Sequence, residues 1–474
     1  MLSTFIQKEL KAIVQSPKFV GSFVVCSVLI LLSVFTGIRE YQSATRQYEA
    51  GSQLVDEELR QETSWGRLAT RTYRAPDPMQ VFVSGLSYDI GRWSTISAQD
   101  PVKLVHSVYS DDPIFAVFRF VDFVFIVMFV LSLMAIQFTY DAVNGQRESG
   151  TLKLVFSNAV PRAQYLLAKC AGSWLGLVLP LGIPILLSLL LVLAMGVPLT
   201  AAHWMRLTVL VGISLLLFTF FILLGVLVST LTRRSSVSFL IALLVWVGFV
   251  MIIPRAGVMA AGGIVEVPRM AEIEAQREAY ANEKWTEHLN KITGRDFSPG
   301  QESALRVQDS LHKEMEKEIE AYDRRLREGL RQSQIRQERL AWLLARLSPA
   351  SAYNLAAMTL AETDTDSKAR YEDAMGQYRD QFSRYVSAKQ EESGETSGIR
   401  ITVETDEDGE SKLAVDASRS RDGLEIDDLP RFVPPVAALA SAIAPTVVDF
   451  GILAFDILLV FAAAFVAFLR YDLR

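Results

Sequence analysis

An uncharged apolar run from Phe19 to Ile38 constrains the fold of this chain more than any other feature of its sequence. The run has about twenty residues, which is the length at which a helix crosses the hydrocarbon layer of a membrane. Later apolar runs predict spans at about 114–138, 168–196, 205–231, 236–254 and 447–469. The sequence therefore predicts an all-α membrane protein with six transmembrane helices.

Composition excludes several functions. Half of the residues are hydrophobic while 21% are charged, which fits a chain divided between apolar spans and very polar segments. The net charge of −6 offers no basic field for nucleic acid. The two cysteines, Cys26 and Cys170, cannot form a disulfide framework, and the four histidines show no metal-ligand spacing. We expect no catalytic residue, metal site or cofactor in this chain.

Residues 1–18 form an amphipathic segment ahead of the first span. Leu2, Phe5, Ile6, Leu10 and Ile13 share one helical face, from which the lysines are absent. This pattern favours a helix lying at the lipid interface, although a helix that packs on a protein core would show the same stripe. No small-residue cleavage site follows the Phe19–Ile38 run, so we expect the segment to be retained.

Basic residues in the short loops predict the orientation. They lie before the first span, between spans two and three, between spans four and five, and at the end of the chain: Lys8, Lys11, Lys18, Arg147, Lys153, Arg162, Arg233, Arg234, Arg470 and Arg474. Since short cytoplasmic loops are enriched in such residues, both termini are expected in the cytoplasm. The predicted organisation is an interfacial helix at 1–18, span one at 19–38, an extracytoplasmic loop at 39–112, spans two to five at 113–254 with a cytoplasmic loop at 140–165, an extracytoplasmic domain at 255–446, and span six with its tail at 447–474.

The 255–446 domain is predicted to be mostly helical. Helices are expected at about 266–292, from a cap at Ser298 to about 347, and at 366–391, and the second has a coiled-coil-like apolar stripe. Apolar and polar residues then alternate around Asp408-Gly409, which predicts a small β-hairpin.

The stretch Tyr140–Leu154, YDAVNGQRESGTLKL, superficially resembles a phosphate-binding loop. Such a loop needs a lysine after its second glycine, but Thr151 follows Gly150 here, and an apolar span rather than a strand precedes it. We conclude that the chain does not hydrolyse ATP itself. The residues alone leave two alternatives, a loop that only joins two spans and a surface that packs into a groove on another protein.

Four charged residues fall within or beside predicted spans: Arg119, Asp122, Asp449 and Asp456. A carboxylate inside a membrane is costly and needs a partner or water. The four residues indicate either a polar pathway or ion pairs between helices, for example between Arg119 and Asp449. Asp456 lies deepest and is the better functional candidate.

The segment YDAVNGQRESGTLKLVFSNAVPRAQYLLAKC resembles the loop after the second span in permease subunits of type-2 ABC exporters. It is especially similar to the branch associated with multicopper-enzyme maturation, which includes the nitrous-oxide-reductase assembly permease. The segments KELKAIVQSPKF, LSPASAYNLAAMTLAETD and FDILLVFAAAFVAFLRYDLR also resemble segments of this family. Gln146 departs from the pattern, since an acidic residue is common there.

The resemblance implies a separate ABC ATPase subunit that binds ATP and Mg²⁺, a second permease copy, surrounding lipid and a possible periplasmic accessory protein. It places the ATPase-coupling surface at Arg147, Glu148, Gly150, Thr151, Leu152 and Arg162. Glu148 would supply a charge, Gly150 would permit close approach, and Leu152 would fill a pocket of the partner. It also implies that the apolar patches at 256–265 and 433–445 are halves of a re-entrant pair, although two surface-lying segments fit the residues equally.

The expected function is export of an unidentified substrate by an ATP-driven transporter of the bacterial inner membrane. In a second hypothesis, mechanotransmission, the spans move no solute and drive the extracytoplasmic domain against a periplasmic partner. A third hypothesis is a membrane receptor or scaffold.

Overall fold

The computed structural model describes residues 2–65, 68–97, 102, 104, 121–157, 160–293, 302–393, 400–405, 411–416, 424, 426, 428–435 and 438–470. Within these residues, six helices are long and apolar enough to cross a membrane, which confirms the six predicted spans. They are span 1 (Pro17–Gln61), span 2 (Phe123–Glu148), span 3 (Arg162–Ala194), span 4 (Ala201–Leu231), span 5 (Ser235–Ile264) and span 6 (Thr446–Leu469).

The remaining described helices are Leu2–Val14, which we call the N-terminal helix, Met270–Thr293, Glu302–Ala345, Pro349–Leu360, Thr365–Ser393 and Leu439–Ile443. The described strands form two antiparallel pairs, Thr70–Tyr73 with Trp93–Ile96 and Arg400–Thr405 with Ser411–Asp416. The second pair is the predicted hairpin, although its tip at Asp408-Gly409 lies outside the described residues, as does the expected cap at Ser298.

Span 1 is much longer than the apolar run that predicts it. The Ser16 hydroxyl caps its first turn by accepting from the Phe19 amide at 3.2 Å, and Pro17 occupies the first helical position, where no amide donor is needed. The helix then continues past Ile38 through a polar sequence as far as Gln61.

Span 5 differs from the prediction of a re-entrant segment at 256–265. That patch continues the helix of span 5 to Ile264, through a π-helical stretch at Gly248–Ile252. The π-helical stretch ends two residues before Pro254, a residue that cannot donate the usual backbone hydrogen bond. The helix therefore accommodates the proline without reversing the chain. The second patch contains the short helix Leu439–Ile443.

The described structure divides into two compact units that do not follow the predicted 255–446 boundary. The first unit contains residues 1–246 and 352–474, and the second contains residues 247–351. In the first unit, Val55, Leu59 and Ile96 share a hydrophobic core with Met375 and Phe382 from the Thr365–Ser393 helix. The polar end of span 1, the segment that follows it and the Thr365–Ser393 helix thus fold around one core.

The second unit is built on two long antiparallel helices, Met270–Thr293 and Glu302–Ala345. Tyr280 stacks on Tyr322 with ring centroids 4.0 Å apart, and the Lys284 Nζ lies 2.7 Å from the Glu318 Oε2. Both pairs join the two helices directly. The helix predicted to carry the apolar stripe therefore packs antiparallel to its neighbour.

Candidate functional site

The loop between spans 2 and 3, which we call the inner loop, contains two short helices at Asn144–Glu148 and Thr151–Ser157. Gly150 joins them with a φ of +72°, a conformation that L side chains rarely adopt. A Cβ built at Gly150 would meet no atom within 4 Å. The structure therefore explains this glycine by its backbone conformation, while the expected close approach of a partner stays a prediction.

Asn144 ties the inner loop to the turn between spans 4 and 5. Its side-chain amide donates to the Thr232 hydroxyl at 2.9 Å, and its carbonyl oxygen accepts from the Ser229 hydroxyl at 3.1 Å. The Ser229 hydroxyl in turn accepts from the backbone amides of Val143 and Asn144. Asn144 is fully buried, so the two segments form one hydrogen-bonded structure, which we call the inner latch.

Glu148 extends the inner latch to the start of span 5. One carboxylate oxygen accepts from the Ser235 amide at 2.9 Å, and the other accepts from the Ser235 hydroxyl at 2.7 Å. Because a carboxylate at a helix N-terminus satisfies amides that lack helical partners, this contact stabilises span 5. The charge expected to face a partner is thus engaged within the chain, although the side chain remains exposed.

The two leucines of the inner loop differ in exposure. Leu152 is only 2% exposed and packs inside the chain, whereas Leu154 is 67% exposed. Residues two apart on a helix point in different directions, so only one of these leucines can face a partner. The contact expected between Leu152 and a partner stays a prediction, and Leu154 is the more accessible of the two side chains. The Thr151 hydroxyl is bonded locally, 3.2 Å from the Gln146 carbonyl oxygen.

Arg162 anchors the beginning of span 3 to the end of span 6. Its Nη1 donates to the Leu469 carbonyl at 2.5 Å, which is a favourable place for a cation because helix C-termini carry partial negative charge.

The Tyr165 ring stacks on Phe468, and the Tyr165 hydroxyl donates to the Gln146 Oε1 at 2.6 Å. Gln146 is thus an internal hydrogen-bond partner. Arg147, also expected on the coupling surface, is half-buried.

The N-terminal helix packs against span 3 at two glycines of that span, Gly172 and Gly176. A Cβ on Gly172 would come within 2.6 Å of the Glu9 Cβ, and one on Gly176 would lie 3.3 Å from the Ile13 side chain. The buried Lys169 side chain pairs with Glu9, with 2.7 Å between Nζ and Oε1. The sequence predicted the amphipathic helix, but not that span 3 is its partner.

The charged residues predicted within the spans are not gathered into one described site. Asp122 caps span 2, accepting from the Phe125 amide at 2.8 Å, and also accepts from the Ser84 hydroxyl at 2.7 Å. Asp449 is 2% exposed, while Asp456 is half-buried among exposed apolar side chains of span 6. Arg119 lies outside the described residues. The position of Asp122 supports a structural role for that carboxylate.

The N-terminal end of span 4, which the sequence predicts to be its outer end, carries an ion pair that no sequence pattern indicates. The Arg206 Nη2 lies 2.5 Å from the Glu362 Oε1, and both side chains are largely buried. Glu362 has a φ of +54° and follows the Pro349–Leu360 helix, so the chain adopts a strained conformation at this residue. Burial raises the pKa of the Glu362 carboxyl, and the nearby Arg206 charge opposes this shift. We call this contact the outer tether.

Within the described ranges, no group of three or more histidine, cysteine or acidic residues could hold a metal ion. In comparisons with known proteins, the family described as "ABC-2 family transporter protein" matches residues 4–473. No curated protein matches the chain significantly.

Proposed function

The chain belongs to the ABC-2 family of transporter proteins, and from this we propose that it is the permease subunit of an ATP-driven exporter in the bacterial inner membrane. The family is a membrane transport component, and membership implies a separate ABC ATPase as partner. The observation that carries the proposal is the family match over nearly the whole chain. The proposed arrangement has two permease copies, cytoplasmic termini and an unidentified substrate.

We propose that the ATPase binds the exposed residues Thr151, Lys153 and Leu154 of the inner loop. These three residues are exposed, and Leu154 gives the surface an apolar centre. Helices commonly bind a partner groove through such an anchor flanked by polar residues. Arg147 and Glu148 flank this surface, and Leu152 and Arg162 support it from within the chain.

The inner latch supports the same proposal because it connects the proposed contact to the spans. A force on the inner loop reaches span 4 through Ser229, span 5 through Ser235 and span 6 through Arg162. Two-state rearrangements of packed helices require rigid connections of this kind. ATP-driven closure of the ATPase pair would therefore tilt several spans together.

The test is to replace Leu154 with aspartate and measure copurification of the ATPase with the full chain in detergent. We expect Leu154→Asp to reduce the association at least about tenfold, because a charge replaces a buried apolar anchor. Leu343→Asp is the matched control, since Leu343 is 64% exposed and lies in the second unit. Unchanged association in Leu154→Asp, or equal loss in both variants, would overturn the assignment.

The outer tether favours mechanotransmission as a second candidate function. Through Arg206 and Glu362, span 4 is bound to the polar segment that connects the Pro349–Leu360 and Thr365–Ser393 helices. Movement of span 4 would therefore move this segment, with or without a solute, and a periplasmic accessory protein could receive the motion. Nucleotide-dependent solute uptake into inside-out vesicles supports export, whereas nucleotide-dependent changes in this segment without uptake support mechanotransmission.

A further inference from the structure

A cavity of about 350 Å³ lies beside the Thr70–Tyr73 and Trp93–Ile96 strand pair. Five aromatic residues line it: Tyr41, Tyr48, Tyr73, Tyr88 and Trp93. Small-molecule sites typically have this size and combine aromatic walls with a few fixed polar groups. The cavity is distinct from the inner loop and has no part in the proposed ATPase contact.

Two of the three charged side chains that line the cavity are cationic. Arg74 and Arg92 both line the cavity and lie on adjacent chain segments, since the Arg74 amide donates to the Arg92 carbonyl at 2.8 Å. Glu40 also lines it, 3.6 Å from the Arg92 Nη2, and the Arg92 Nη1 donates to the Gln47 side chain. With one carboxylate against two guanidinium groups, the lining is net positive in a chain whose net charge is −6.

Arg74 retains unused donors. Among the described residues, its one side-chain hydrogen bond runs from Nη2 to the Ser87 carbonyl at 3.0 Å, whereas a guanidinium carries five N–H groups. Burial lowers the pKa of Arg74, Tyr371 and Asp77 oppose this shift, and the neighbouring Arg92 charge adds to it. An anion in the cavity would offset the effects of burial and of Arg92, and it would accept from the remaining donors.

We propose that this cavity binds the phosphate group of a small organic ester or of a phospholipid headgroup, held by Arg74 and Arg92. A phosphate has enough acceptor oxygens to engage two guanidinium groups at once, and arginine binds it in a forked geometry. The attached organic part would lie against the tyrosine rings.

The position of the cavity explains why both sources of phosphate are relevant. Gly37 and Glu40, which line it, stand at the end of the apolar run that closes with Ile38. If that run crosses the hydrocarbon layer, its end lies at the depth of lipid headgroups, where water-soluble esters also have access. The inference needs span 1 to cross the membrane, but it does not depend on which solute is exported.

The experiment uses the purified full-length chain in an uncharged detergent with two probes. Glycerol 3-phosphate binding is measured by titration calorimetry, and retention of phosphatidylglycerol is measured by native mass spectrometry. Binding of glycerol 3-phosphate identifies a soluble ester, and retention of phosphatidylglycerol alone identifies a headgroup. Binding of neither probe to the wild-type chain overturns the proposal.

Variants separate a specific site from general charge attraction. Arg74→Gln and Arg92→Gln should each weaken binding about tenfold or more, because each removes a charge-assisted contact. Glu40→Gln should strengthen binding, since it removes the competing carboxylate. Arg46→Gln is the matched control. Arg46 is exposed, lies on the same helix as Glu40, and donates to the Gln42 backbone carbonyl at 3.2 Å.

The melting temperature of each variant shows whether it folds. If Arg74→Gln does not fold, the other two variants test the proposal. Arg92→Gln should weaken binding of the phosphate probe, whereas Glu40→Gln should strengthen it. Equal weakening by Arg46→Gln and the cavity variants, or no change in any cavity variant, would contradict a phosphate site.

Discussion

Lys169 of span 3 and Glu9 of the N-terminal helix form an ion pair, with 2.7 Å between Nζ and Oε1 and side chains only 5% and 14% exposed. Lys169 lies one turn before Gly172, where the two helices come closest. The charge pair and the glycine contact therefore determine the position of the N-terminal helix together.

Replacing one partner of the ion pair should destabilise the protein more than replacing both partners. Glu9→Gln leaves the Lys169 charge buried without its partner, and we expect a loss of about 3 kcal/mol, as for other buried pairs broken on one side. The double variant Glu9→Gln with Lys169→Met should recover part of this loss. Thermal unfolding in detergent measures both effects, and a double variant less stable than Glu9→Gln alone would contradict the interpretation.

Gly172→Ala should displace the N-terminal helix. The added methyl would lie 2.6 Å from the Glu9 Cβ, and overpacking of this kind costs about 1–3 kcal/mol. We expect a lower melting temperature and faster tryptic cleavage after Lys8 and Lys11. Gly182→Ala is the control on the same helix, because a Cβ there meets no atom within 4 Å; an equal effect in both variants would argue against the contact.

Asn144→Ala should open the inner latch. The substitution removes the bonds to Ser229 and Thr232 and leaves buried polar groups without partners, at a cost of about 2–3 kcal/mol. We expect lower thermal stability and faster tryptic cleavage after Arg233 and Arg234. Exposed Asn282, on the Met270–Thr293 helix, supplies the control Asn282→Ala. Unchanged cleavage in Asn144→Ala would show that the latch is not needed to hold the turn.

The outer tether should make stability depend on pH. Burial raises the pKa of Glu362 above its ordinary value of 4.5, so the folded protein keeps this proton at pH values where the unfolded chain releases it. The contribution is fully present below pH 4.5 and is lost as the pH rises through the folded pKa.

Glu362→Gln removes that dependence, so the melting temperature of the wild type relative to the variant should fall as the pH rises. A melting-temperature series from about pH 4 to pH 8 measures the difference between the two proteins. Asp380→Asn, at an exposed residue, should follow the wild type. A constant difference between the wild type and Glu362→Gln across the series would refute the prediction.

The two aspartates of span 6 should respond differently to neutralisation. Asp456 is half-buried, and within the described residues its carboxylate has no hydrogen-bond or ion-pair partner, so Asp456→Asn should stabilise the isolated chain by up to about 3 kcal/mol. Asp449 is 2% exposed and interacts with another group in the chain, so Asp449→Asn should destabilise the chain. If Asp456→Asn destabilises the full transporter but not the isolated chain, a partner contacts that carboxylate.

The spans could be predicted from sequence because the length and the apolar composition of each run are themselves the signal for a membrane-spanning helix. The N-terminal helix was predictable for the same reason, since the stripe containing Ile6, Leu10 and Ile13 is local. The β-hairpin at 400–416 was predictable because its strands are neighbours in the chain. The Thr70–Tyr73 and Trp93–Ile96 pair was not predicted, because no tight-turn signal joins its strands.

The inner latch and the outer tether were beyond sequence reasoning because their partners are distant in the chain. Asn144 is an ordinary turn residue in sequence, and only the fold brings it to Ser229 and Thr232. The difference in burial between Leu152 and Leu154 was beyond sequence reasoning for a different reason. Both are apolar, and the face that each occupies depends on how the short helix beginning at Thr151 packs against the chain.

Span 4 is held at both ends, by Ser229 in the inner latch and by Arg206 in the outer tether. Its 31 residues extend for about 46 Å at 1.5 Å per residue. Because span 4 is bonded to its neighbours at both ends, a movement of the whole helix must either carry these neighbours along or break the hydrogen bond at Ser229 or the ion pair at Arg206. We therefore expect a displacement applied at Ser229 to be transmitted along span 4 to Glu362.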